Sequence, residues 1–153
     1  MSYRSSICGA VIVLSIMAGH NSAWSEPKKD VAVAASKWEA VFAENNSDSI
    51  LALYSKDGVL WGTLSPTVRA DPPGLRAYFV SAFQALPKAT VKFGRSTDPS
   101  VWQYGSKYGI LNFVIHQNGE PKSIPARYSF TYVKEGENWM IVDHHSSAMP
   151  ASR

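Results

Sequence analysis

A chain of 153 residues is about one domain long, so several independent cores are not expected. Hydrophobic residues make up 45% against 18% charged, enough apolar surface to exclude a wholly disordered chain. The formal charge of +3 comes from 15 basic and 12 acidic residues scattered with no basic run longer than Lys28-Lys29, which argues against nucleic acid as a partner.

The first residues stand apart from the rest. Arg4 is their one charge, Ile7 to Ala18 is mostly apolar, and Ala23-Trp24-Ser25 offers small residues at both cleavage-determining positions; residues 1–25 read as a secretory signal peptide. An apolar run of about twelve residues is short of the roughly 18–20 that cross a bilayer, and Gly19-His20-Asn21-Ser22 ends it, so cleavage is expected rather than anchoring. A periplasmic or secreted location follows, with no membrane contact after cleavage. Cys8 leaves with the peptide, so the mature chain is cysteine-free and is held by its core without disulfides. It is also near neutral, which gives no indication of an electrostatic partner.

Residues 26–32, charged and containing Pro27, read as a mobile lead-in, and the folded domain as 33–150. Ala34, Trp38, Val41 and Phe42, then Ile50, Leu51, Leu53 and Tyr54, recur at helical spacing on either side of Asn45-Asn46-Ser47-Asp48, a helix end followed by a cap. Lys56-Asp57-Gly58 is expected to stop the second helix ahead of a short strand, Val59-Leu60-Trp61. Asp71 is placed to cap the next helix and Pro72 to open it; Leu75, Tyr78, Phe79, Ala82, Phe83 and Leu86 form one stripe, and Pro87 closes it. From Thr90 onward the helical period gives way to β-type runs broken at Thr97-Asp98-Pro99, Gly105, Asn118-Gly119 and Glu135-Gly136, a spacing that fits four long strands. Helices first and a strand meander after them is an α+β layout.

Three groups of residues carry a resemblance. Trp61-Gly62-Thr63-Leu64-Ser65-Pro66-Thr67-Val68-Arg69, Gly74-Leu75-Arg76-Ala77-Tyr78-Phe79, and Pro125-Ala126-Arg127-Tyr128-Ser129-Phe130 with Trp139-Met140-Ile141-Val142-Asp143-His144-His145-Ser146-Ser147 together resemble bacterial relatives of the calcium/calmodulin-dependent protein kinase II association (hub) domain, the SgcJ/EcaC family, within the nuclear transport factor 2-like (NTF2-like), SnoaL-like superfamily. The resemblance implies a curved antiparallel sheet wrapped around helices into a cone with an open cavity, and a homodimer formed through the sheet. It also implies that Arg76, Tyr78 and Arg127 match hub cavity positions. A third hub arginine has no counterpart at Leu111, Asn112 or Phe113, so the implied cavity is less basic. The fold does not deliver a function, because the superfamily hosts isomerases, cyclases, dehydratases and non-catalytic assembly domains.

The chemistry centres on Asp143-His144-His145. Neighbours on a strand point to opposite faces, so Asp143 and His145 share one face and His144 takes the other. Pairing across Lys134-Glu135-Gly136-Glu137-Asn138 sets Arg127 opposite His145 or His144, depending on the loop length. Opposite His145, Arg127 joins Ser129 and Asp143 in a polar patch suited to a small carboxylate-bearing ligand, with Arg69, Arg76 and Tyr78 contributing; an arginine–aspartate pair that only finishes a sheet face is the plainer reading. Asp143 and His145 are also the candidate catalytic acid/base pair of an isomerase or lyase, with Tyr78 or Tyr128 as proton donor, although Arg127 nearby would weaken Asp143 as a base. No metal is expected, since fewer than three ligands can be gathered, and no cofactor, since no nucleotide fingerprint occurs. The alternation Ile124, Ala126, Tyr128, Phe130, Tyr132 is the expected homodimer surface.

Overall fold

The computed structural model describes residues 27–97, 100–101 and 104–151; the signal peptide reading and Trp102 lie outside the described residues. Helix α1 (Pro27–Ala43) buries Val31, Ala35, Trp38 and Phe42, one face at helical spacing. It takes in residues 27–32, so this segment is helix where the sequence suggested a mobile lead-in. Val31 extends the apolar stripe by one turn, and Asp30 accepts a hydrogen bond from Trp139 Nε1 at 3.2 Å. Helix α2 (Ser47–Leu51) is capped by Asn46, whose Oδ1 accepts from the backbone of Asp48 at 2.8 Å and Ser49 at 3.1 Å.

The second helix stops three residues before Tyr54. Tyr54 opens strand β1 (Tyr54–Trp61), which runs through Lys56-Asp57-Gly58 instead of being blocked by it. A register shift between Tyr54 and Val59 absorbs the turn-like residues, and Gly58 is required there because a Cβ would lie 2.9 Å from the Ser55 carbonyl oxygen. Helix α3 (Pro72–Ala85) begins as the sequence predicts, with Asp71 accepting from Gly74 N at 2.6 Å and Pro72 at its start.

Five strands follow: β2 (Thr90–Thr97), the two-residue β3 (Ser100–Val101), β4 (Tyr104–Gln117), β5 (Glu120–Glu135) and β6 (Asn138–Ala148). The four long strands of the sequence reading are all present. Strand order is β1-β6-β5-β4-β2, with β3 paired to β4. All pairs are antiparallel, as the resemblance implied, except β1 with β6, which is parallel. The parallel pair arises because the chain leaves β1, crosses α3 and the meander, and returns alongside β1 in the same direction.

The sheet packs its inner face on the helices, giving the α+β cone. Ala126, Tyr128, Phe130 and Tyr132 are all nearly inaccessible and belong to the one core cluster with Trp38, Phe79 and Leu60. They cannot form a dimer surface; the apolar alternation on β5 is the core itself, and only Ile124 at its end reaches solvent. Trp38 is the centre of this packing, with ring centroids 5.1 Å from both Phe42 and Phe130. Burial of each such ring stabilises the fold by about 1.5–3 kcal/mol.

Candidate functional site

Strand β6 divides the chemistry between two faces. Across β5, Phe130 pairs with His144, Ser129 with His145, Thr131 with Asp143 and Arg127 with Ser147. The hairpin closes at Glu135–Asn138, and a register shift between Thr131 and Tyr132 adds one residue to β6. Arg127 is therefore opposite neither His144 nor His145: the turn alone would set it opposite Ser146, and the bulge moves it one residue further, to Ser147.

The outer face carries Asp143, His145, Ser129 and Arg127, with Trp61 of β1 beside His145. Asp143 and His145 do share a face. Partial burial raises the Asp143 carboxyl above its usual range, and the charge of His145 opposes that rise. Arg127 is exposed there, between Ser147 on one side and Ile110 on the other. Arg76 is on the solvent side of α3, ion-paired with Asp48. Arg69 follows β1, with Nε donating to Ser65 Oγ at 3.2 Å and its backbone paired to Leu60. Of the residues singled out from sequence, Tyr78 lines the interior cavity and Tyr128 is buried in the core, while Arg69, Arg76, Arg127, Asp143 and His145 do neither. The carboxylate site built from Arg69, Arg76, Arg127 and His145 is not assembled, and Asp143 with His145 does not face the cavity.

The cone interior contains a cavity of about 140 Å³ whose lining includes Trp38, Phe42, Phe79, Phe113, Tyr78 and His144. Residues in its wall carry neither a lysine nor an arginine. Gly62 makes room for Tyr78: a Cβ there would lie 2.3–2.5 Å from the end of the phenol ring. Burial raises the Tyr78 hydroxyl pKa, partly offset by the Leu64 backbone N–H. Thr63 Oγ1 and Ser146 Oγ are 2.8 Å apart, and Ser146 Oγ also accepts from Thr63 N at 3.3 Å, so these hydroxyls satisfy each other at the wall.

His144 is the exception in this lining. Trp38 Nε1 donates to Tyr54 Oη at 3.2 Å, and Tyr54 Oη is 2.7 Å from His144 Nδ1. An indole N–H only donates, so Tyr54 accepts it and gives its own single hydrogen to the one acceptor in reach, Nδ1. The neutral ring then carries its proton on Nε2. That nitrogen is buried with no hydrogen-bond partner among the described residues. Leaving such a donor unsatisfied costs about 1–3 kcal/mol. Complete burial, with a smaller contribution from the charge of His145, lowers the His144 pKa to about 3, so the ring is neutral at physiological pH.

Strand alternation alone separated His144 from His145. It gave no sign that His144 was the interesting one, because its partners Trp38 and Tyr54 are 106 and 90 positions upstream and meet it only through the packing of α1 on the sheet and the β1–β6 pairing. The side of His144 is set by the extra residue in β6, which brings Phe130 opposite His144 where the turn alone would have brought it opposite Asp143.

The calcium/calmodulin dependent protein kinase II association domain family profile matches residues 27–150. A candidate association domain of that kind from Xanthomonas campestris is 32% identical, covering 86% of this chain and 93% of its own, with a TM-score of 0.75. A ketosteroid isomerase-like protein from Erwinia carotovora atroseptica shares 15% identity over 84% of this chain and 100% of its own at a TM-score of 0.68. A candidate dehydratase of the NTF2-like family from Streptomyces avermitilis shares 8% over 82% and 98%, at 0.73. These last two share the fold alone. Among proteins of curated function none matches. Profile, identity and the α+β cone agree: the chain belongs to the calcium/calmodulin dependent protein kinase II association domain family and has an NTF2-like fold.

Proposed function

We propose that this protein is an exported binding and assembly domain whose cone interior receives a small, mostly apolar molecule and which works as a homodimer without catalysis. The observation that carries this reading is the cavity of about 140 Å³ walled by aromatic rings, close to the ~150 Å³ at which an apolar protein cavity accepts benzene. A carboxylate ligand, as first expected, fits less well, since the arginines meant to hold it are on the exterior.

The chemistry of the interior supports binding over turnover. A general base works best with a pKa near the operating pH, and His144 at about 3 is far below it. The isomerase or lyase alternative loses its acid/base pair from the cavity, because Asp143 and His145 are on the other face of the sheet. Export rests on the pattern of residues 1–25. Self-association, which the family name suggests, has the outer sheet face available, where Trp61, Tyr104 and Tyr108 are exposed.

Benzene titration of the labelled protein, followed by NMR, tests the central claim. Resonances of Trp38, Phe79 and Leu64 should shift and saturate. Ala82→Leu, which adds volume at the cavity wall on a helical position that tolerates leucine, should weaken binding at least tenfold while the domain stays folded. Equal binding by this variant, or no shift in the parent, overturns the reading.

A further inference from the structure

A second cavity shares no lining residue with the cone interior. It is a groove of about 620 Å³ bordered by α1 and the β5–β6 hairpin, in the size range of sites that enclose a small molecule. Asp30, Val33, Ala34 and Lys37 fall at i, i+3, i+4 and i+7, so one face of α1 forms a wall, beside the stripe that α1 buries in the core. The hairpin contributes the cross-strand pair Lys134 and Trp139, with Glu137 from the turn. A hydrogen bond from Trp139 Nε1 to Asp30 at 3.2 Å holds the first turns of α1 against the hairpin.

The lining divides by chemistry. Leu53 and Ile141 are buried, Trp139 and Met140 half-buried, and Val33 is 68% exposed, which gives the groove an apolar surface reaching solvent. Lys37, Lys134 and Glu137 are exposed, and among the described residues none of the three has an ion-pair partner. Asp30 is engaged by Trp139, so two cations and one anion are left to act on an occupant. A ligand with one charge would use one sign and leave the other to water. A zwitterion with an apolar body uses both signs through charge-assisted hydrogen bonds, and the apolar surface as well.

We propose that this groove is a second binding site, for a zwitterionic molecule of dipeptide size with apolar side chains. Its carboxylate is held by Lys37 and Lys134 and its ammonium by Glu137, while its side chains cover Val33, Trp139 and Met140.

Two indoles report on the two cavities, since Trp139 Nε1–H is bonded at the groove and Trp38 Nε1–H in the cone. Leucylleucine titrated into the isotope-labelled protein should shift the Trp139 indole signal, identified by its loss in Trp139→Phe, and leave that of Trp38 in place. N-acetyl-leucylleucine and leucylleucine amide each lack one charge and should bind about threefold more weakly, the size expected of a partly exposed ion pair. Lys37→Gln combined with Lys134→Gln should remove the difference between leucylleucine and its amide, and Glu137→Gln the difference between leucylleucine and its acetylated form. All three side chains are exposed, so these variants keep the fold. Equal affinities of the parent for the three probes, a measurement that needs no variant, overturn the proposal. So do a probe difference that survives the matching replacement, a shift confined to Trp38, and no shift of Trp139 at millimolar peptide. Each of these leaves the reading of the cone interior untouched.

Discussion

His144 and His145 are adjacent in sequence and differ in almost every physical respect. One is buried between Trp38, Phe130 and Tyr54, bonded through Nδ1 and held neutral; the other is exposed on the convex face beside Trp61 and Asp143. The contrast extends along the whole strand pair. Phe130 is inaccessible in the core while Ser129, its neighbour, faces outward with Arg127. The difference shows that in this fold the identity of a residue says less about its role than the face it takes, because a strand assigns alternate side chains to media of very different polarity.

The comparison can be broken most forcefully at β5. Phe130→Ala removes a ring that contacts Trp38, Tyr128, Tyr132 and His144, and should cost about 3–5 kcal/mol in chemical denaturation, while Ser129→Ala should stay within about 0.5 kcal/mol. Equal costs would mean that the two faces are not distinct.

Acid should sharpen the contrast between the histidines. The His144 pKa is depressed from 6.5 when unfolded to about 3 when folded, so the unfolded chain binds a proton first as pH falls. Stability is then fully present above about pH 6.5 and declines by about 1.4 kcal/mol per pH unit until pH reaches about 3. His144→Phe should flatten that slope and His145→Asn should leave it in place, as read by midpoints of denaturation between pH 7 and 4. Asp143 acts in the opposite sense: its raised pKa makes the folded state slightly less stable once pH exceeds it, a small effect for a partly exposed carboxyl.

The smallest effect is expected at Arg127. Exposed on the outer face, it should lose at most about 0–1 kcal/mol on replacement by Met, with benzene binding unchanged. A cost of several kcal/mol, together with lost binding, would return it to the interior and restore the carboxylate reading.

Local signals alone determined much of this protein. The caps at Asn46 and Asp71, the α3 stripe, the turns at Asn118-Gly119 and Glu135-Gly136 and the sharing of a face by Asp143 and His145 are all set within a few residues of chain, where capping, periodicity and strand alternation operate, whereas Gly105, expected to break a strand, is paired inside β4. The helices-then-meander order and the family motifs were enough for the cone. Tertiary structure decided the rest, wherever a property depends on which distant element supplies the partner. Tyr54 leaves its apparent helix because β6 offers it a parallel strand; the bulge before Asp143 moves Arg127 opposite Ser147; the β5 alternation becomes core because helices cover it. His144 shows the physical reason most directly, since its tautomer and its neutrality come from Trp38 and Tyr54, which no spacing along the chain brings near it and only the closed sheet does.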